Sequence, residues 1–381
     1  MPELASVREA ERQWFSPVRD YDLGLTLTSG QAFRWRFSQG WWQGVIGHRW
    51  VQVRQQATGL EAHTAVPVDD WTWLEDYLQV RVNLQAVLAT FPNDPELQAA
   101  VAANRGLRLL RQEPWECLAS FIISSTKQIT QIQQIVAALC ARFGEPVIVP
   151  PGHEPAFAFP SAERLAGLSE PDLRACKMGF RAPYLLAAAR AVSRGELALA
   201  RLGDQPVEEA RAALMRLPGV GEKIANCVLL FAYGFQEAFP VDVWVRRALR
   251  QMYFPRRQPT PDQLAQFTRT HFGPFAGYAQ QYLFCYMRNR WTDQRVRAER
   301  ARRLATETIQ TDGGRPRRAG RLCQPGEKAH PAVPNAGNGV APVAERQASA
   351  GRRTRQASGR RSPSRPDRSG SVRGKSREPA A

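Results

Sequence analysis

A lysine and an aspartate nineteen residues apart, in the stretch LPGVGEKIANCVLLFAYGFQEAFPVDVWVRR from Leu217 to Arg247, carry the chemistry of this chain. Lys223 stands one residue before an apolar stripe at helical spacing (Ile224, Val228, Phe231, Ala232, Phe235). The stripe predicts a core-facing helix, and the lysine falls at its start. There the positive end of the helix dipole disfavours an ammonium, and an amine that has shed its proton is a nucleophile. Asp242 follows a loop closed by Pro240 and takes the N-cap position of the next helix. If the two helices pack as an antiparallel pair, amine and carboxylate face one cleft. Taken singly, a solvated lysine and a capping aspartate would be the ordinary explanations; the pair behind an LPGVG turn argues against both. In that turn neither Gly219 nor Gly221 presents a side chain, so the backbone N–H groups around Val220 can approach a phosphate closely. A helix–hairpin–helix of this kind grips a DNA backbone without reading bases, although many helix connections need a glycine only for the turn.

The surrounding elements must position these groups. From Tyr21 to about Ala65, alternation at Leu23, Leu25 and Leu27, then at Phe33, Trp35 and Phe37, then around Trp41–Val45 and Trp50–Val53, predicts a small twisted antiparallel sheet whose tryptophans pack across strands. Helical texture follows from Asp69. Pro114 opens an apolar helix running to Ile123, and a second helix carries Ile129, Ile132, Val136, Leu139, Cys140 and Phe143 on one face. The junction Ser124-Ser125-Thr126-Lys127-Gln128 gathers polar groups at a helix start, which suits either an anion or ordinary capping by Ser125 or Thr126. Residues 146–160 read as a proline-rich loop, followed by two short helices. Phe180 and Arg181 lie in a loop beside Gly179, where they suit a wedge into a base stack; on residue type alone a core position for the phenylalanine is favoured. A helix from Pro274 to Trp291 carries Gln280, Gln281, Phe284 and several tyrosines.

The chain has 381 residues and a formal net charge of +17. Residues 311–381 hold sixteen Lys or Arg and five Asp or Glu, so +11 of that charge lies there and +6 in the rest. Their Arg/Ser/Gly/Pro composition predicts a disordered basic tail suited to weak, salt-sensitive attachment to nucleic acid. Six scattered cysteines form no CxxC or Cys/His pattern for zinc or an iron–sulfur cluster. A reducing, intracellular setting is expected, without signal peptide or membrane span. The predicted fold class is α+β, mostly α: an N-terminal sheet with helices over 1–95, a helical core over 96–307, and the tail over 308–381.

At these residues the sequence resembles the helix–hairpin–helix DNA glycosylases with a glycine/proline-rich loop and aspartate (HhH-GPD), in their 8-oxoguanine DNA glycosylase branch. LPGVGEKIANC with FPVDVW carries the catalytic segment of that likeness. DLGLTLTSGQAFRW, RQEPWECLASFIISSTKQI, MGFRAPYL and GYAQQYLF extend it in the same order over roughly residues 20–295. The resemblance implies a bifunctional glycosylase and AP lyase that flips 8-oxoguanine from duplex DNA, acting as a monomer. Lys223 would attack the sugar and form the Schiff base, and Asp242 would stabilise the cationic sugar. Gly30 would offer its carbonyl to the N7–H of the oxidised base, Cys227 and Phe284 would sandwich it, and Gln280 would bind its Watson–Crick edge. Phe180 would fill the vacated stack, Arg181 would contact the orphaned base, and Thr126, Lys127, Gln128, Gly219, Val220 and Gly221 would line the DNA. No cofactor is implied, since the four cysteines of iron–sulfur relatives are missing after the catalytic helix; the hairpin leaves room for a monovalent or divalent ion. Animal members of the branch have Asn, Arg, His and Asp where this chain has Thr126, Gln131, Trp244 and Met287, which leaves the opposite-base preference open. Two other readings stand beside this one: a monofunctional glycosylase for alkylated purines, which shares the aspartate but not usually the lysine, and a DNA-binding module that needs neither.

Overall fold

The computed structural model describes residues 12–292. The expected tail, residues 308–381, lies outside them. Five strands form one antiparallel sheet: β1 (Gln13–Pro17), β2 (Arg36–Ser38), β3 (Trp41–Ile46), β4 (Arg49–Gln55) and β5 (Gly59–Thr64), in the order β1-β5-β4-β3-β2. Val51 pairs with Thr64 and Val53 with Ala62. The face bearing Val51, Val53, Leu60 and Ala62 is fully covered, with Leu74 and Leu78 of the helix Thr72–Leu78 in the same core.

Two strand expectations are corrected. Leu23–Thr28 is a helix, capped by Asp22, whose carboxylate accepts the Leu25 N–H at 2.8 Å. Leu23 and Leu27 are both buried four residues apart, a spacing that satisfies one helical face as well as alternation does. Phe33 and Trp35 precede β2 rather than belonging to it: Phe33 enters the helical core and Trp35 Nε1 donates to the Tyr77 hydroxyl at 2.9 Å. β1 closes the far edge of the sheet and lies before Tyr21, outside the span in which alternation predicts strands.

The helical part follows the sequence pattern closely. Helices span Pro114–Ile123, Ile129–Phe143, Ala162–Ala166, Glu170–Arg174, Ala182–Ser193, Val207–Met215, Glu222–Val228, Val243–Ala248 and Pro261–His271, and a last one runs over residues 276–292. Within the proline-rich loop, Pro146–Val147 and Ala156–Phe157 pair as a minimal hairpin. Pro114–Ile123 is the central rod, buried from Cys117 to Ile123, with Glu222–Val228 and Ala182–Ser193 packed on it. Its first turn is held by the Glu113 carboxylate, which accepts the N–H groups of Trp115 and Glu116. Glu116 forms a 3.0 Å ion pair with Arg34, tying the loop before β2 to the rod. Among the described residues no helix is long and apolar enough to cross a membrane.

Candidate active site

Lys223 and Asp242 line one cleft of about 760 Å³. Lys223 lies in the first turn of Glu222–Val228, after the N-cap Gly221. Its Nζ donates to the Ser124 hydroxyl at 3.4 Å and stands 5.1 Å from the centre of the Phe121 ring. The rod's C-terminal end therefore supplies the seat of the amine. Asp242 caps Val243–Ala248, accepting the Val245 N–H at 2.8 Å. Burial raises its carboxyl above the ordinary aspartate range, against the Val245 N–H and the nearby Lys223 charge. Among the described residues no ion pair within 4.0 Å joins it to Lys223, so each is held by its own element and both face the cleft.

The four candidate base-binding residues come to the same cleft: Gly30, Cys227, Gln280 and Phe284. Gly30 has φ +84°, and a Cβ there would sit 3.0 Å from Ile129 Cδ1 and 3.4 Å from the Phe284 ring, so only glycine leaves this wall open. A buried amide network fixes its backbone. Gln31 Nε2 donates to the Ser29 hydroxyl at 2.9 Å and the Arg108 carbonyl at 2.8 Å, and Gln31 Oε1 accepts the Leu110 N–H at 2.8 Å. Gln112 Nε2 donates to the Gln31 carbonyl at 2.8 Å and Gln281 Nε2 to the Ser29 carbonyl at 3.0 Å. Beside these, Gln280 is 3% exposed and its Oε1 has no hydrogen-bond partner among the described residues. Burial pushes the Cys227 thiol up to about 11, in spite of the adjacent Lys223, so it stays a neutral, polarizable surface.

The expected DNA-facing residues flank the cleft. The hairpin is tight: Val220 donates to the Leu217 carbonyl at 3.1 Å, and Gly219 has φ +78° with the Tyr184 ring 2.5 Å from where a Cβ would be. No hydrogen bond among the described residues uses the N–H of Gly219 or Gly221. Phe180 is 53% exposed, which overturns the core position that residue type alone favoured. Its ring meets Tyr184 edge-on at 6.4 Å, so one tyrosine supports both the exposed phenylalanine and the hairpin.

Arg181 is placed differently from the expectation. It is 2% exposed, its Nε donates to the Ser125 carbonyl at 2.6 Å, and a second nitrogen reaches the Thr126 hydroxyl. In this structure it braces the junction rather than projecting from it. Thr126 has φ +57°. Neither Ser125 nor Thr126 caps the following helix; Gln128 does, with Gln131 Oε1 accepting its N–H at 3.1 Å. Lys127 and Gln128 line the cleft mouth, and Thr126 stays at the surface outside it.

Residues 15–118 match the family model for the N-terminal domain of 8-oxoguanine DNA glycosylase, and residues 119–274 match that for HhH-GPD superfamily base excision DNA repair proteins. A "probable N-glycosylase/DNA lyase" of Methanothermobacter thermautotrophicus is 30% identical over 310 residues, covering 74% of this chain and 98% of that one. The chain belongs to the HhH-GPD superfamily, in its 8-oxoguanine DNA glycosylase branch. An N-glycosylase/DNA lyase of Arabidopsis thaliana is 32% identical, covering 73% of this chain and 81% of the plant protein. Of solved structures, MBOgg1 in complex with a low-affinity DNA ligand aligns with TM-score 0.69 and 33% identity over 73% of this chain and 96% of that one. The Clostridium acetobutylicum 8-oxoguanine glycosylase/lyase, bound to duplex DNA with cytosine opposite the lesion, aligns with TM-score 0.68 and 27% identity over 74% and 99%.

Several members of this site carry no motif. Ser124 and Phe121 seat the lysine, Gln31 and Gln281 fix the Gly30 backbone, and Tyr184 backs the hairpin. Trp244 and Trp291 form part of the cleft wall, with ring centroids 6.1 Å apart. Only the polar Ser-Gly-Gln turn and the paired Gln280-Gln281 inside apolar runs hinted at the amide network.

Proposed function

We propose that Lys223 and Asp242 carry out, in this chain, the two reactions of an 8-oxoguanine DNA glycosylase and AP lyase. The observation that carries this reading is one cleft holding amine, carboxylate, Gly30, Cys227, Gln280 and Phe284 together. The substrate is duplex DNA containing the oxidised guanine, flipped into the cleft while Phe180 enters the vacated stack. Lys223 Nζ, as the neutral amine, bonds to C1′ as the N-glycosidic bond breaks and its electron pair leaves with the base. The carboxylate of Asp242 stabilises positive charge on the sugar and accepts the proton that the amine loses. The C1′–O4′ bond then breaks, its electron pair going to O4′, which takes up a proton, and the opened sugar is left as the imine of Lys223. Loss of the C2′ proton then expels the 3′ phosphate by breaking the C3′–O3′ bond, and water hydrolyses the imine to regenerate Lys223.

Recognition rests on groups this cleft leaves available. The Gly30 carbonyl accepts the N7–H that separates 8-oxoguanine from guanine, Gln280 Oε1 accepts from the Watson–Crick edge, and the Cys227 thiol and Phe284 ring hold the base faces. The amine is the nucleophile, and the reading requires no metal or cofactor. A DNA substrate places the protein inside the cell. Borohydride in the presence of an 8-oxoguanine duplex should trap a covalent protein–DNA adduct, and Lys223→Ala should lose it. Efficient trapping by that variant would remove Lys223 from the mechanism. Base release without any nicking or trapping would instead favour a monofunctional enzyme.

A further inference from the structure

A second concavity, of about 700 Å³, lies beside the helix Val243–Ala248 and the turn after it, lined by Arg247, Arg250, Arg256, Arg257, Phe254 and Gln251 among others. Between Asp242 and Asp262 the chain has five arginines and no acidic residue. Arg247, Arg250, Arg256 and Arg257 make no salt bridge among the described residues. Four like charges crowded round one hollow repel one another, and a bound anion relieves that repulsion. Planar guanidinium forks bind phosphate oxygens in pairs.

The two clefts meet at one side chain. The Arg247 guanidinium stacks over Trp291 at 4.5 Å and Trp244 at 5.4 Å, and both tryptophans line the cleft that holds Lys223 and Asp242. Arg257 is held in the same way over Phe254 at 5.2 Å. Two of the four charges are thus oriented by aromatic rings, while Arg250 and Arg256 lie exposed at the rim.

We propose that this arginine hollow binds backbone phosphates of the DNA duplex flanking the flipped nucleotide, extending the enzyme's grip beyond the hairpin on the Asp242 side of the active site. The inference rests on duplex DNA being the substrate, and not on the identity of the lesion. It makes Arg250 and Arg256 phosphate contacts with no part in base recognition.

The test uses the full chain and a duplex with a non-cleavable abasic-site analogue, with affinity measured across salt concentrations. Each phosphate contact contributes about 0.9 to the slope of log K against log salt, so Arg250→Gln/Arg256→Gln should flatten the slope by about 1 to 2. Both proteins carry the basic segment 311–381, so its charge is common to the two measurements. Shortening the duplex one base pair at a time on either flank should abolish the difference on one side only. Single-turnover base release at saturating enzyme should match the unmodified protein, which also reports a folded variant. An unchanged slope, or a slope loss that persists on the shortest duplex, overturns the proposal. Failure of the unmodified chain to bind any duplex would overturn the DNA reading instead.

Discussion

Gln281 donates to the Ser29 carbonyl at 3.0 Å, one residue before Gly30, while the adjacent Gln280 keeps an unpartnered buried Oε1 at the cleft. Neighbouring amides on the last helix thus do opposite things: one is spent on structure, the other is held in reserve. A buried acceptor without a partner costs roughly 1–3 kcal/mol. Gln280→Leu should therefore leave the melting temperature unchanged or raised while base release falls, by about tenfold for one lost hydrogen bond to the base. Gln281→Leu should lower the melting temperature, because the Ser29 carbonyl loses its donor, and should weaken discrimination of 8-oxoguanine from guanine as the Gly30 backbone relaxes. Thermal melts with paired lesion and normal substrates check both; a stability loss in Gln280→Leu as large as in Gln281→Leu would contradict the division.

Asp242 gives a prediction with a definite sign in pH. Its folded-state carboxyl lies above the ordinary aspartate value of 3.8, chiefly through burial. The folded protein therefore holds the proton to higher pH than the unfolded chain, and stability is lost as pH rises through that window and stays lost above it. Asp242→Asn, which can still cap Val243–Ala248, should melt at a higher temperature than the unmodified protein at neutral pH. The gap should close as pH falls towards 3.8. Catalysis runs the other way: the carboxylate is the working form, so the acid limb of base release should lie above an ordinary aspartate's range and vanish in the variant, whose rate at neutral pH should fall roughly 10²–10³-fold. Calorimetry and single-turnover rates over the same pH series read both effects.

Gly30→Ala tests whether that wall must stay bare. The backbone lies at φ +84°, where an L-residue costs about 1–2 kcal/mol, and the new methyl would press on Ile129 and Phe284. A modest loss of stability is expected with a larger loss of affinity for duplexes containing 8-oxoguanine. Binding to an abasic-site duplex, where no base fills the cleft, should change much less.

Lys223 and Asp242 were legible because a nucleophile, a cap and a glycine turn each have local sequence signatures, and helical order from Pro114 onward was legible from periodicity. The Leu23–Leu27 helix was not, since alternate leucines fit a strand or one helical face, and the cap at Asp22 was the deciding residue. The seat of the lysine on Ser124 and Phe121, and the Gln31–Leu110 and Gln281–Ser29 bonds, join residues 79 to 252 positions apart. No local pattern encodes such pairings; they exist only once the sheet is docked on the rod.

Phe180 and Arg181, adjacent in sequence, are expected to separate by assay. Phe180 is 53% exposed and touches Tyr184 edge-on, so Phe180→Ala removes little buried area, and the melting temperature should hold. Its loss should appear in base flipping: a fluorescent base analogue at the lesion site, quenched while stacked in the duplex, should brighten more slowly or less completely, with affinity for undamaged duplex nearly unchanged. Arg181 braces the Ser125 carbonyl and the Thr126 hydroxyl. Truncation leaves a half-buried carbonyl unmet and frees a junction held at positive φ at Thr126, so Arg181→Ala should cost about 1–3 kcal/mol of stability. Arg181→Lys, which keeps charge but loses the fork, should restore only part of it. Because Thr126 adjoins Lys127 and Gln128 at the cleft, loosening it should also alter the ratio of base release opposite cytosine to release opposite adenine. If Arg181→Ala instead changes that ratio with no loss of stability, the arginine contacts the orphaned base directly in the complex and its bracing position belongs to the free enzyme alone.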